Sequence, residues 1–292
     1  MPQRDAIVKV LNAPSADGQR GCGTMETFYD THAHLTYPDF AAELPQVLER
    51  AAAVGIQRVI VIGTDLQTSQ QAIALSQSHA SVYAVVGWHP NDLAQAPQDV
   101  SEALRPLCAH PKVVALGETG LDHHRLPSSR GGSPAEDEVW KERQARVFRQ
   151  HLELAVETGL NCVIHQRTAM QPTLDIFAEY HGRVRGQFHC FVDDPAAMQR
   201  VLALDSLVSF TGVATFKSAE VVRQTIAAVP MGRFMLETDC PFLAPTPHRG
   251  QRCEPAYVRL IAETVAQIKQ CTLQELSEAT CAAAHSFFRK LA

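Results

Sequence analysis

The chain offers little that would tie it to a membrane, a disulfide framework or a dinucleotide. None of its apolar runs is long enough to span a bilayer as a helix, so no membrane attachment of that kind is expected. Its eight cysteines, Cys22, Cys108, Cys162, Cys190, Cys240, Cys253, Cys271 and Cys281, include no Cys-x-x-Cys pair. That excludes a zinc knuckle and leaves free thiols in a reducing cytoplasm as the expected state. The opening Met1-Pro2-Gln3-Arg4-Asp5 lacks the basic-then-apolar pattern of a secretory leader. No Gly-x-Gly-x-x-Gly follows the first strand, which counts against a dinucleotide fold. Positive charge is not in excess either: the net charge is −5 and the pI about 6.2. A polyanionic substrate must therefore be drawn by local arginines and bound cations, not by the field of the whole molecule. Nothing in the pattern implies an obligate protein partner.

What is present is a regular alternation. The 292 residues, 46% hydrophobic, are enough for one large domain. Residues 1–24, with the turn-rich stretch Pro14–Gly23, are expected to be an appendage outside the core, with Met25 a workable start and residues 25–292 forming the fold. Strands are expected at Phe28–His32, Arg58–Gly63, Val82–Gly87, Val113–Gly117, Asn161–Ile164, Arg185–Phe188, Leu207–Phe210 and Arg233–Glu237. Helical periodicity follows each, and Trp140–Thr158 is the longest such segment before the two closing helices at Pro255–Lys269 and Leu273–Lys290. The one irregular insertion is Leu126–Glu138, read as a flexible loop. Eight strand–helix units in a chain of this length point to an α/β fold, a single (β/α)₈ TIM-type barrel with extra C-terminal helices.

Active sites in such barrels lie at the C-terminal ends of the strands. There the sequence places His32 and His34 after strand one, His89 after strand three, Glu118 after strand four, His165 after strand five, His189 after strand six and Asp239 after strand eight. In a strand, residues two apart point to one face, so His32 and His34 leave the strand end in parallel and can grip one ion. Imidazoles mixed with carboxylates suit zinc, manganese, iron or cobalt; magnesium prefers all-oxygen sites. Six ligands are too many for one open catalytic site and about right for two divalent cations sharing a bridging carboxylate. His32, His34 and Asp239 are assigned to one ion, His165 and His189 to the other, and Glu118 to both. Asp239 is also the candidate to take a proton from an activated water. His89 is kept outside the metal set as a substrate contact. Arg167, Lys217, Arg249 and Arg252 stand near the expected bowl and suit phosphate oxygens, Arg167 and Arg249 foremost. His248 is read as a substrate contact, His123 and His124 as loop residues. The side chains of Cys190 and Cys240 are expected to point away from the bowl into the core.

Six segments carry a resemblance: Asp30-Thr31-His32-Ala33-His34-Leu35, Gly87-Trp88-His89-Pro90, Gly117-Glu118-Thr119-Gly120-Leu121-Asp122, Ile164-His165-Gln166-Arg167, His189-Cys190-Phe191 and Glu237-Thr238-Asp239-Cys240-Pro241-Phe242-Leu243. In order and placement they resemble the motif series of the TatD-type metal-dependent hydrolases of the amidohydrolase superfamily, from about residue 28 to the C-terminus. The resemblance implies a (β/α)₈ barrel, a divalent-metal centre and hydrolysis, typically of DNA phosphodiesters in an exonuclease-like manner. This chain departs from the pattern at Val192-Asp193-Asp194, where Ser or Thr and Gly are usual, and at Cys253, where Asn is usual. Asp193 and Asp194 add negative charge near the bowl, which favours an alternative reading: hydrolysis of a small-molecule ester, lactone or amide.

Overall fold

In the computed structural model, residues 25–292 are described; the expectation about residues 1–24 lies outside them. Eight strands form one parallel sheet in sequential order: β1 (Phe28–Ala33), β2 (Ile56–Ile62), β3 (Val82–Val86), β4 (Val113–Asp122), β5 (Asn161–Arg167), β6 (Gly186–Phe188), β7 (Leu207–Phe210) and β8 (Phe234–Leu236). Just past the end of β8, a parallel bridge between Ala33 and Cys240 closes the sheet into a barrel. The helices between and after the strands are α1 (Leu44–Ala53), α2 (Leu66–Ser78), α3 (Ser101–Cys108), α4 (Pro134–Thr158), α5 (Met170–Ala178), α6 (Pro195–Ala203), α7 (Glu220–Ala228), α8 (Val258–Lys269) and α9 (Leu273–Phe287). Among the described residues no helix is long and apolar enough to cross a membrane.

The two-residue period of the strands sorts the core into two bodies. Val59 and Val61 of β2 pack outward against the helices. Ile60 and Ile62, one step along, pack inward with Tyr83, Val85, Val163 and Met235. Phe287 and Phe288, at the end of α9, join that inner cluster. The last helix thus seals the floor of the barrel with apolar rings and leaves the opposite rim for polar work.

Three boundaries differ from expectation for identifiable reasons; β4 and β5 both run on, β5 to Arg167, so that Glu118 and His165 lie within strands and not after them. Strand β4 runs on to Asp122, because Thr119, Gly120, Leu121 and Asp122 pair with Ile164, His165, Gln166 and Arg167 of β5. The expected strand stops at Gly117, and the glycines there are the residues that allow the continuation. Gly120 sits at φ +135°, and a Cβ on it would lie 2.0 Å from the His165 carbonyl oxygen. Helix α4 begins at Pro134, inside the segment read as a loop. Ser133 and Glu136 form a reciprocal capping box there, with proline in the first turn. Only a short helical turn at Pro127–Arg130 and its flanks remain of the insertion.

Candidate metal centre

The barrel seam and the first two histidines are one piece of structure. The Asp239 N–H donates to the His32 carbonyl at 2.9 Å, and the His34 N–H to the Cys240 carbonyl at 2.8 Å. Strand β1 and the segment after β8 therefore carry His32, His34 and Asp239 to the rim together. The two imidazoles converge as their spacing requires, with Nε2 atoms 3.2 Å apart. Asp239 Oδ1 lies 3.3 Å from His34 Nε2 and 3.7 Å from His32 Nε2.

Glu118 stands in the middle with one oxygen for each side. Its Oε2 is 3.3 Å from His32 Nε2 and 3.7 Å from His34 Nε2. Its Oε1 is 2.8 Å from both His165 Nδ1 and His189 Nε2. His165 and His189 present those nitrogens 3.2 Å from each other. All six residues assigned as ligands thus meet at one place; the groups spaced to hold a cation include His32, His34 and Glu118, but also His32, Asp239 and His189, which joins residues assigned to different ions. The structure brings His89 there as well: its Nε2 is 3.4 Å from Glu118 Oε1, and His89, Glu118 and His165 form one of three groups spaced to hold a cation. Borderline-soft imidazole nitrogens and hard carboxylate oxygens, facing one another at these distances, are a donor set that fits divalent cations.

Electrostatics divide the site: burial works to lower His165 and His189, but Asp122 and Glu118 raise the first and Glu118 lifts the second to about 9. Burial works to raise the Glu118 carboxyl, but the imidazoles of His189, His89 and His32 and the contact with His165 outweigh it and hold it well below the usual range. Burial and the neighbouring His189 push His32 down to about 4. Its ring is neutral at physiological pH, the state in which imidazole binds a metal.

Supporting residues that sequence reasoning missed surround these seven. Asp122, buried at the end of β4, places Oδ2 3.3 Å from His165 Nε2. It accepts from Asn91 Nδ2 at 2.8 Å and from the His124 and Arg125 N–H groups, both at 2.9 Å. An acceptor on Nε2 fixes the tautomer that leaves Nδ1 free to face Glu118. Glu237, fully buried, lies 3.7 Å from His189 Nδ1. It accepts from the Cys190 N–H at 2.6 Å and from Gln187 Nε2 at 2.9 Å. The visible signal was positional: both carboxylates stand within four residues of an assigned ligand, in Glu118-Thr119-Gly120-Leu121-Asp122 and Glu237-Thr238-Asp239.

Above the cluster opens a cavity of about 570 Å³, whose wall includes Tyr37, Arg125, Arg167, Val192 and Phe242. Of the four cations expected near it, only Arg167 lines it. Arg249 is a correction: its guanidinium lies 3.5 Å over the Phe216 ring, and its Nη1 donates to the Ala244 carbonyl at 3.3 Å. Arg252 is another, held by Glu43 at 2.7 Å and stacked over Phe40. His248 stacks on Tyr257, and neither it nor Lys217 is part of the cavity wall. Cys240 is buried as expected. Cys190 instead lines the cavity: β6 ends at Phe188, and Cys190 at φ +47° no longer follows the strand alternation. The acidic pair is spent locally. Asp194 caps α6 by accepting from the Ala197 N–H at 2.8 Å, and Asp193 is held by Gln166 Nε2.

A closed (β/α)₈ barrel whose rim gathers imidazoles and carboxylates around one central glutamate defines a class, the metal-dependent hydrolase barrels. Within it the chain belongs to the TatD-related DNase family, whose model matches residues 29–289. It is 36% identical over 262 residues to YabD of Bacillus subtilis, described as an uncharacterized metal-dependent hydrolase, covering 89% of this chain and 98% of that one. It is 32% identical over 258 residues to the 3'-5' ssDNA/RNA exonuclease TatD of Enterobacter lignolyticus, covering 86% and 95% respectively. The fold matches the crystal structure of YjjV, a TatD homologue from Escherichia coli, with a TM-score of 0.82 at 24% identity over 91% of this chain and 99% of that one.

Proposed function

We propose that this chain is a divalent-metal-dependent phosphodiesterase that trims DNA from a single-strand end. The observation that carries the reading is Glu118, whose two carboxylate oxygens face two separate sets of imidazole nitrogens. His32, His34 and Asp239 would hold one ion, His165 and His189 the other, and Glu118 would touch both. Ions bound there would neutralise charge on a phosphodiester and ease deprotonation of the attacking water. Asp239, with its side chain 15% exposed at the rim, would take the proton from that water. As the new phosphorus–oxygen bond forms, the bond to the leaving nucleotide oxygen breaks. His89 borders the same oxygen of Glu118 and offers a donor to the phosphate, and Arg125 and Arg167 flank its approach. A bowl of about 570 Å³ is of the size that takes a terminal nucleotide. The names of the relatives support a nucleic-acid substrate. The acidic pair that favoured a small-molecule substrate is engaged in capping and hydrogen bonding.

The test is hydrolysis of an end-labelled single-stranded DNA oligonucleotide with manganese, magnesium or zinc, beside Glu118→Ala. Stepwise shortening by the parent and none by the variant is expected. A parent that contains two ions by elemental analysis, cuts no oligonucleotide and opens a lactone or amide instead would overturn the reading.

A further inference from the structure

Of the twelve phenylalanines in the chain, ten are buried. Phe216 is partly exposed and carries the Arg249 guanidinium on its face. Phe242 stands apart at 50% exposure, and it stands on the wall of the metal-centre cavity. An aromatic ring half in water forfeits hydrophobic stabilisation, so its placement beside the reacting centre asks for a ligand that covers it.

The ring is also held firmly. The Phe242 N–H donates to the Asp239 carbonyl at 3.0 Å, which ties its position to that of a ligand. Tyr37 meets it edge-on, centroids 6.1 Å apart at 79°. Tyr37 in turn stacks on His34 at 5.0 Å. One flank of Phe242 is therefore braced against the metal-binding histidine. Val192, 47% exposed, is a second apolar residue on the same wall, and Arg125 and Arg167 supply positive charge. A flat apolar ring next to cations and a phosphate-directed centre matches the chemistry of a nucleotide, whose base stacks while its phosphate pairs.

We propose that Phe242 is the stacking surface for the base of the terminal nucleotide, so that the enzyme selects strand ends that carry a base. This rests on the phosphodiesterase reading above. The step it serves is the same hydrolysis, and Phe242 acts as a specificity residue, not a proton carrier.

The experiment compares two oligonucleotides that differ only in the nucleotide at the end the parent trims, one normal and one abasic. Within each protein the ratio of their kcat/KM values cancels any general loss of activity or folding. The parent should prefer the base-bearing end by roughly 5- to 150-fold, the range of one base–aromatic stack. Phe242→Trp should keep most of that preference. Phe242→Leu, which remains apolar but offers no aromatic face, and Phe242→Ala should bring the ratio to within about twofold of one, given that range. A parent that trims both ends equally well, or a Leu variant with the parent's ratio, would overturn the assignment and leave the nuclease reading intact. A parent that trims neither would overturn both.

Discussion

His151 gives a prediction whose size follows from the structure. It lies on α4, fully buried, far in sequence from the ligands. Its Nδ1–H donates to the Val147 carbonyl at 2.8 Å, and its Nε2 accepts from the Trp88 N–H at 3.0 Å. The ring is thus locked in one neutral tautomer that supports the residue before His89. Burial pushes its pKa from 6.5 down to about 4. The sign follows from linkage. Below 6.5 the unfolded chain takes up a proton that the folded chain excludes, so stability present above 6.5 is lost as pH falls toward 4. For those two values the loss is about 2 kcal/mol at pH 5 and approaches ~3 kcal/mol near pH 4. The assay is urea unfolding of the parent and of His151→Gln at pH 7.5 and pH 5, with chelator present so that metal release does not enter. Gln can still accept from the Trp88 N–H and cannot titrate. The parent should lose about 2 kcal/mol more than the variant between the two pH values. Equal losses in the two proteins would refute the claim that His151 is a buried neutral group.

Two further outcomes test the site. Asp122→Ala should weaken binding of the ion on the His165 side by roughly 10- to 100-fold, since the imidazole loses the acceptor that sets its tautomer; chelator competition measures this directly, and unchanged affinity would show that His165 needs no such support. Arg167→Ala should raise the KM for an oligonucleotide by roughly 10-fold or more, the worth of one charge-assisted hydrogen bond, whereas Arg249→Ala should leave KM alone and lower the melting temperature.

Legibility of the chain divides along physical lines. The strands of the barrel were readable because buried parallel strands are short apolar runs, and the ligands because each histidine or carboxylate closes or nearly closes such a run. His32 and His34 converge as their spacing of two suggested, although His34 lies one residue past the end of β1 and is held by its N–H on the Cys240 carbonyl. Past the end of β6 the strand alternation does not hold, and Cys190 at positive φ turned into the cavity instead of the core. The continuation of β4 was hidden because glycine signals a break and its tolerance of positive φ is the other side of the same property. The start of α4 was present in Ser133-Pro134-Ala135-Glu136 as a capping box, but the flanking glycines and serines outweighed it. Arg249 and Arg252 show the limit for charge: proximity in sequence to a ligand says nothing about whether a guanidinium is already engaged.

The interior of the barrel explains why a site this polar is compatible with a stable fold. The floor is apolar and sealed by Phe287 and Phe288. The rim carries the six residues assigned as ligands. Between them lies a buried polar layer in which Gln187 Nε2 reaches Thr31 Oγ1 and Ser209 Oγ, both at 3.1 Å, and Glu237 Oε2 at 2.9 Å. Its members come from β1, β6, β7 and the residue after β8, so the layer ties four strands together, three of which lead into residues assigned as ligands. Buried polar groups are costly when unmatched and rigidifying when matched. Glu237 passes that rigidity upward, through the Cys190 N–H and toward His189. The same seam that closes the barrel, at Ala33 and Cys240, runs between His32, His34 and Asp239. Closure of the sheet and assembly of half the metal centre are therefore one event. A substitution that loosens the seam should cost metal affinity and global stability together, while one in the cavity wall, at Arg167 or Phe242, should cost substrate binding alone.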